Sequence, residues 1–301
     1  MEIGMIGLGK MGGNMTRRLL RGGHRVVVYD PAKTAVEELV KEGATGASDL
    51  PDLVAKLAPP RVAWVMVPSG DVTESTVRAL AEMLARGDLL VDGGNSNYKD
   101  SVRRSAWLAE RGLGFVDSGT SGGIWGLTEG YSLMVGGTKE GVERLRPVLE
   151  TLAPAKDRGW GRVGPAGAGH FVKMVHNGIE YGMMQAYAEG FAIMAKKEQF
   201  ALDLAQIAQI WRQGSVVRSW LLDLTADALA EDPKLESVAP FVQDSGEGRW
   251  TVAEAIDLDV PAPVITLSLL TRLRSRDASS FTDRVLAKMR QKFGGHAIKK
   301  A

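Results

Sequence analysis

Near its start the chain reads Ile3-Gly4-Met5-Ile6-Gly7-Leu8-Gly9-Lys10-Met11-Gly12, a short apolar run followed at once by a glycine-rich turn. The apolar run has the composition of a buried strand, and residues 11–21 have helical spacing. Gly7 permits a tight turn, Gly9 lets a pyrophosphate approach the backbone, and Gly12 permits close packing of the helix against the strand. Strand, turn and helix in this order predict a phosphate-binding helix N-terminus.

The same alternation continues through the first half of the chain. Short apolar runs bounded by Gly, Asp or Pro predict strands at residues 3–6, 25–29, 62–67, 89–91, 115–116 and 131–135. Helical spacing occurs at residues 11–21, 35–41, 74–86 and 139–153. This order predicts an α/β, doubly wound (Rossmann) parallel sheet, in which ligands bind beyond the carboxyl ends of the strands.

The second half of the chain has a different pattern. A stretch rich in glycine at residues 161–169 interrupts the periodicity, and strand patterns almost vanish after it. Helical spacing then occurs at residues 171–197, 202–211, 216–229, 252–257, 264–275 and 280–293. We therefore predict a dinucleotide-binding domain over residues 1–165 and an all-α domain over residues 166–301.

Composition excludes several classes of protein. The 301 residues are 45% apolar and 24% charged, as in an ordinary globular chain with a buried core. The net charge of +1 favours neither nucleic acid nor an anionic membrane surface. With no cysteine and four histidines, the sequence offers no thiol chemistry and no obvious metal cluster. It also has no leader-like start and no apolar run of membrane-spanning length, so we expect a cytoplasmic protein that binds neither metal nor membrane.

Asp30, at the end of the second predicted strand, bears on the choice of cofactor. A carboxylate there accepts hydrogen bonds from a ribose 2′-hydroxyl and repels a 2′-phosphate. Pro31 stands where NADP sites usually supply a cation. Lys33 is near enough to supply that cation instead, so NADP stays an alternative. We therefore favour NAD over NADP. The alternative interpretation of Asp30 is a helix N-cap.

Residues 167–181 carry the most informative polar pattern. At helical spacing, Lys173, Asn177 and Glu180 lie on one face, flanked by His176 and Tyr181. A solvated charged face is the usual explanation of such a pattern. The neighbouring residues are apolar or glycine, however, which predicts a partly buried lysine whose pKa is lowered by desolvation. Groups perturbed in this way collect at active sites.

Residues 167–181 also resemble the signature of the decarboxylating 6-phosphogluconate dehydrogenase family, and the similarity extends over nearly the whole chain. Separate, ordered motifs carry it. They are Asp92-Gly93-Gly94-Asn95-Ser96, Gly119-Thr120-Ser121-Gly122-Gly123, Gly246-Glu247-Gly248-Arg249-Trp250, Arg272 and residues 290–296.

The resemblance implies oxidative decarboxylation of 6-phosphogluconate to ribulose 5-phosphate and CO2, with hydride transfer to NAD(P). Lys173 would accept the C3 hydroxyl proton as a general base and then stabilise the enolate formed as CO2 leaves. Glu180 would protonate C1 of the enediol, for which burial beside apolar residues would have to raise its pKa. No metal is required.

The resemblance also implies two sets of binding residues. Those for the cofactor are Gly7, Leu8, Gly9, Lys10, Met11, Gly12, Asp30, Val67 and Asn95. Those for the substrate are Asn95, Ser121, Gly122, Gly123, His176, Asn177, Tyr181, Arg272, Arg290 and His296. The alternative interpretations, which we favour less, are a helix-interior hydrogen bond for Asn177, a surface position for His176 and a solvated helix-face charge for Arg272.

In this family the Arg and His of the terminal motif come from a neighbouring subunit. We therefore expect a homo-oligomer, a dimer or tetramer, in which the tail of one chain completes a neighbour's site.

Two departures from the family pattern put one phosphate contact in doubt. Ser245 stands where longer members have a lysine, and Glu247 where threonine is usual, so Arg249 becomes the candidate replacement cation. The chain also resembles a short form of the family. Two rival functions stay open, another β-hydroxyacid dehydrogenase of the 3-hydroxyisobutyrate type and a non-catalytic dinucleotide-binding regulator.

Overall fold

The structure is a computed structural model that describes residues 1–299. The chain divides into two compact units, one of Met1–Asn177 and one that begins at Gly178. Lys300 and Ala301, at the end of the predicted second domain, lie outside the described residues. Within the described range, no helix has both the length and the apolar character needed to cross a membrane.

The first unit is built on one eight-stranded sheet with the order β3-β2-β1-β4-β5-β6-β7-β8. The strands are β1 (Glu2–Ile6), β2 (Arg25–Tyr29), β3 (Thr45–Gly46), β4 (Val62–Val65), β5 (Leu89–Asp92), β6 (Gly114–Ser121), β7 (Ser132–Gly137) and β8 (Trp160–Gly164). All neighbours pair parallel except β6 and β7, which are antiparallel. The doubly wound α/β fold predicted from the sequence is confirmed.

Helices cover both faces of this sheet. They are α1 (Lys10–Arg21), α2 (Lys33–Lys41), α3 (Leu50–Ala55), α4 (Asp71–Ala81), α5 (Tyr98–Ala109), α6 (Gly126–Glu129) and α7 (Lys139–Leu152). Successive strand residues belong to different apolar clusters: Val26 and Val28 pack in one, and Val27 packs in the other. Because both faces are buried, these strands appear in the sequence as continuous apolar runs rather than as alternating patterns.

Two local predictions for this unit were wrong, and one strand was missed. The stretch at 161–169 was expected only to separate domains, but its first residues belong to β8, whose partner is β7. The short strand β3 was not predicted. Helix α4 ends at Ala81 instead of residue 86, because the backbone N–H of Ala85 donates to the Asp88 carboxylate (2.9 Å) instead of continuing the helix.

The second unit is helical, and none of its described residues forms a strand. The long helix α8 (Ala168–Lys196) begins in the first unit and continues into the second. The others are α9 (Leu204–Trp211), α10 (Trp220–Glu231), α11 (Glu247–Asp257), α12 (Pro263–Arg274) and α13 (Phe281–Gly294). Helix α10 begins at residue 220 and not at 216, because the Ser219 side chain accepts the N–H of Leu222 (3.1 Å) as an N-cap.

Candidate active site

The glycine-rich turn between β1 and α1 has the geometry of a phosphate cradle. Gly7 has a φ of +92°, and a Cβ at Gly12 would lie 2.0 Å from the Gly7 carbonyl oxygen. Around Gly9, by contrast, no heavy atom beyond its two chain neighbours lies within 4 Å of the place a Cβ would take. Helix α1 begins at Lys10 with no side-chain cap, so its first N–H groups suit the oxygens of a pyrophosphate. Leu8 and Met11 complete this turn.

Asp30 connects the end of β2 to the same turn. Its Oδ2 accepts the backbone N–H of Leu8 (2.7 Å), and its Oδ1 accepts that of Ala32 (2.8 Å). Ala32, and not Asp30, is the N-cap residue of α2. A carboxylate has about four lone-pair positions, so these two bonds leave acceptor capacity for a ribose hydroxyl.

Val67 follows β4 and lies against two glycine-containing loops. A Cβ at Gly7 would lie 3.0 Å from Val67 Cγ1, and a Cβ at Gly94 would lie 2.9 Å from the Val67 carbonyl oxygen. The structure therefore brings together the glycine-rich turn, Val67 and the loop that carries Asn95. Asn95 itself is exposed.

A buried arginine stabilises the loop that carries Asn95. Arg104 on α5 is 1% exposed, and its Nη1 lies 3.0 Å from Asp92 Oδ2 and 3.4 Å from Ser96 Oγ. Its Nε donates to Glu74 (2.9 Å), whose pKa is lowered to about 2 by hydrogen bonds from Arg103 and Arg104. Sequence analysis missed Arg104, although an aspartate ending a buried strand signals the need for a cationic partner.

Beyond β6 the chain offers bare backbone amides. Ser121 is the last residue of the strand, and Gly122 and Gly123 follow with φ values of +135° and +52°. Both values lie in the region that favours glycine. Glycine amides, which carry no side chain of their own, suit a carboxylate ligand.

Lys173, His176 and Asn177 form a hydrogen-bonded group on α8. Lys173 is 6% exposed, and its Nζ donates to Asn177 Oδ1 (2.6 Å). His176 Nδ1 lies 3.1 Å from the same oxygen. The structure thus confirms that the i and i+4 side chains meet, and it excludes a solvated surface position for Lys173. Glu180 follows on the same helix and is only half-buried.

Tyr181 has polar and cationic neighbours in the second unit. It is 5% exposed, and its hydroxyl accepts the backbone N–H of Ser245 (3.2 Å). The guanidinium carbon of Arg272 lies 3.5 Å from the centre of the Tyr181 ring. Arg272 Nη1 also donates to the Gln243 carbonyl (3.0 Å). The structure therefore brings together Tyr181, Arg272 and the segment that contains Ser245.

Arg249, the candidate replacement for the missing lysine, is paired with Asp244. Its Nε and Nη2 lie 3.0 and 3.1 Å from the two Asp244 oxygens, and Arg276 Nη2 adds a contact of 2.7 Å. Hydrogen bonds from Arg249 and Arg276 lower the pKa of Asp244 to about 2. Glu247 is 2% exposed, and neither of its carboxylate oxygens has a hydrogen-bond partner in the described structure.

Arg290 and His296 are exposed. Arg290 lies on α13, and His296 lies just beyond the end of that helix, where a Cβ at Gly294 would lie 2.7 Å from its ring. Among the described residues no group of three or more His, Cys, Asp or Glu is arranged to hold a metal ion.

Comparisons with known proteins show which family the chain is similar to. A family model described as the NAD binding domain of 6-phosphogluconate dehydrogenase matches residues 2–161, and one described as the 6-phosphogluconate dehydrogenase C-terminal domain matches residues 169–299. Bacillus subtilis YqeC is 45% identical over 300 residues, covering 100% of both chains. The Haloferax volcanii protein named NAD(+)-dependent, decarboxylating 6-phosphogluconate dehydrogenase is 42% identical, covering 99% of this chain and 98% of its own length.

A solved structure of greater length shares the fold. The Plasmodium falciparum 6-phosphogluconate dehydrogenase, described apo, with NADP+ and with 6-phosphogluconate, aligns with a TM-score of 0.84 at 28% identity. The alignment covers 100% of this chain and 66% of that one. This chain therefore matches the length of its short relatives and spans about two thirds of the longer protein.

Proposed function

The chain belongs to the 6-phosphogluconate dehydrogenase family, and from that premise we propose that it converts 6-phosphogluconate to ribulose 5-phosphate and CO2 with NAD as the preferred cofactor. The observation that carries this proposal is the buried Lys173 amine, 2.6 Å from Asn177 Oδ1. Burial disfavours the charged form of an amine, and a general base must be able to exist in its neutral form.

Lys173 acts twice in this mechanism. Its neutral amine first takes the proton of the substrate's C3 hydroxyl. A bound nicotinamide would supply the acceptor for the hydride that leaves C3. The ammonium then hydrogen-bonds the new C3 carbonyl oxygen. It stabilises the negative charge that develops on this oxygen as the C1–C2 bond breaks and the C1 carboxyl group leaves as CO2. Asn177 accepts a hydrogen bond from Nζ and so orients the amine.

Glu180 completes the reaction. We assign to its carboxylic acid the proton that is delivered to C1 of the enediol, the carbon that was C2 of the substrate, which gives the keto sugar ribulose 5-phosphate. This role needs a carboxyl group that is protonated when the enediol forms. Glu180 lies on α8, the helix that also carries Lys173, and is half-buried.

The substrate's two anionic ends are assigned to separate groups. The amides of Gly122 and Gly123, with Ser121, suit the C1 carboxylate, and His176 and Asn177 suit that carboxylate and the neighbouring hydroxyls. Guanidinium groups suit a phosphate dianion, for which we propose Arg272 and Arg290 with Tyr181 and His296. Asn95 is assigned to both cofactor and sugar.

The cofactor preference is proposed from Asp30. A 2′-phosphate near this carboxylate would meet like charge, whereas a ribose 2′-hydroxyl would donate a hydrogen bond to it. The remaining proposed cofactor contacts come from the glycine-rich turn, Lys10, Val67 and Asn95. The full-length Haloferax volcanii relative is named as NAD(+)-dependent, which supports the same preference.

Asp30→Ala combined with Pro31→Arg is expected to move the preference toward NADP, because the change replaces repulsion of a 2′-phosphate with attraction. The measurement is the ratio of kcat/KM for NAD to that for NADP. Pro31→Ala alone serves as the control and should leave the ratio within about twofold. An unchanged ratio in the double variant would show that Asp30 does not discriminate between the cofactors.

We also propose that the chain works as a homo-oligomer in which Arg290 and His296 complete a neighbour's site. The exposure of both residues in the single chain supports this arrangement. The predicted domain boundary at residues 165 and 166 is retained as a proposal, and it falls between the two family-model matches. The cytoplasmic location stays a prediction.

Co-expression of Lys173→Met and Arg290→Ala chains is expected to restore activity that neither variant has alone. If Arg290 acts across the interface, a mixed oligomer contains sites with both wild-type residues. The measurement is the turnover of doubly tagged, purified mixed oligomers. Co-expressed Lys173→Met and Glu180→Gln chains are the control, since both residues are proposed to act from one chain. No recovery in the test pair would assign Arg290 to its own chain's site.

The rival functions are separated by one assay of NADH formation. A 6-phosphogluconate dehydrogenase reduces NAD with 6-phosphogluconate far faster than with 3-hydroxyisobutyrate. Equal or better turnover of the unphosphorylated acid would favour the rival β-hydroxyacid dehydrogenase. Binding of NAD without turnover of either acid would favour a non-catalytic regulator.

A further inference from the structure

We propose that Asp117 positions Lys173 by fixing the first turn of α8 on strand β6. The inference rests on the proposed role of Lys173 and adds a residue that touches neither substrate nor cofactor. Asp117 lies in the middle of β6 and is fully buried. It therefore acts on the reaction only through α8.

Both carboxylate oxygens of Asp117 accept backbone hydrogen bonds at the start of α8. Oδ1 accepts the backbone N–H of Gly167 (2.6 Å), and Oδ2 accepts that of His170 (2.8 Å). N–H groups at a helix N-terminus have no partners within the helix, and the helix dipole favours a negative charge there. One carboxylate thus satisfies two such donors and fixes both the entry and the rotation of α8.

Glycines at positions 119 and 169 let α8 pack in close contact with β6. A Cβ at Gly119 would lie 2.3 Å from Lys173 Cβ and 2.6 Å from the Gly169 carbonyl oxygen. A Cβ at Gly169 would in turn lie 2.7 Å from the Asp117 carbonyl oxygen. The lysine side chain therefore leaves the helix in contact with β6, about one turn beyond the cap.

The side chain of His170 adds a third attachment. Its Nδ1 lies 2.7 Å from Ser101 Oγ on α5, and both residues are buried. The N–H of His170 is held by Asp117 and its ring by α5, so the residue one turn before Lys173 has little freedom. Loss of the Asp117 contacts would release the backbone at this point.

Asp117→Asn is expected to lower kcat about 10- to 100-fold, the range associated with a displacement of about 1 Å at a reacting group. The amide keeps one acceptor oxygen but turns an NH2 group toward the other helix N–H. The dissociation constant for NAD should stay within about twofold of wild type, because the glycine-rich turn is unchanged.

Asp88 provides a matched control. It is 1% exposed and accepts the backbone N–H groups of Arg61 (2.6 Å) and Ala85 (2.9 Å), but it precedes β5, at the opposite end of the strands from the glycine-rich turn. Asp88→Asn should lower the melting temperature as Asp117→Asn does, while kcat stays within about twofold of wild type. An equal fall in kcat in both variants would reduce Asp117 to a structural role.

A double variant tests whether Asp117 acts through Lys173. In a Lys173→Met background, Asp117→Asn should not reduce the residual kcat further, because a positioning effect disappears with the group that is positioned. An additive loss would overturn the proposal. Near-normal turnover of Lys173→Met would instead overturn the proposed function, so the two failures are distinguishable.

Gly119→Ala keeps the test decisive if Asp117→Asn does not fold. Its methyl group would press on Lys173 Cβ while the Asp117 carboxylate stays intact. We expect a similar fall in kcat with unchanged NAD binding, and again no further loss in the Lys173→Met background. Wild-type kcat in Gly119→Ala would show that the close contact between α8 and β6 does not set the position of the Lys173 amine.

Discussion

Lys173→Met is expected to lower kcat by about 10²- to 10⁴-fold, the usual contribution of a positioned general acid–base group. Methionine is close to lysine in length and apolar, so it fills the buried position without the amine. Asn177 Oδ1 loses one donor but still lies 3.1 Å from His176 Nδ1. The fold and the cofactor site should therefore be unaffected.

The measurement is the steady-state rate of NADH formation with saturating 6-phosphogluconate, together with NAD binding by calorimetry. Lys139→Met is the control, because Lys139 is exposed on α7. It should leave kcat unchanged. Turnover by Lys173→Met within tenfold of wild type would contradict the proposed mechanism.

Glu180→Gln is expected to slow steady-state turnover by about 10²-fold or more, because glutamine cannot deliver the proton that C1 requires. Hydride transfer precedes this step and does not use Glu180. The variant should therefore form about one NADH per site rapidly and then continue slowly. Lys173→Met should show no such burst, because it fails before hydride transfer.

Stopped-flow absorbance separates these two outcomes. Glu189→Gln is the matched control on the same helix, where Glu189 is exposed and accepts a hydrogen bond from Gln185 (2.8 Å). It should show wild-type kinetics. A slow first turnover without a burst in Glu180→Gln would remove Glu180 from the last step and assign it an earlier one.

Much of the fold follows from local patterns. Strands β1, β2, β4 and β5 are short apolar runs buried on both faces, and such runs are visible in sequence. Strand β8 lacks this signal because it is a half-exposed edge strand, Trp160–Gly164, that forms by pairing with β7. The end of α4 depends on Asp88, whose carboxylate reaches back to Ala85 through a loop.

Some contacts of the candidate site also follow from local sequence patterns, and others depend on the tertiary fold. The contact between Lys173 and Asn177 follows from helical periodicity, and Gly7 and Gly12 follow from the motif. Arg104 with Asp92, and Asp117 with the start of α8, are contacts between residues 12 and about 50 positions apart. No local spacing encodes them. They become visible only when the sheet brings distant elements together.

Strand β6 has a consequence for protein engineering. Residues 117, 119 and 121 alternate with a period of two, so Asp117, Gly119 and Ser121 share one side of the strand. Inserting or deleting a single residue within β6 would shift its side-chain alternation by one position. Residues that now face α8 would then point to the opposite side of the sheet. Attempts to retune which acid is accepted should therefore leave the strand intact and diversify the loop after Ser121.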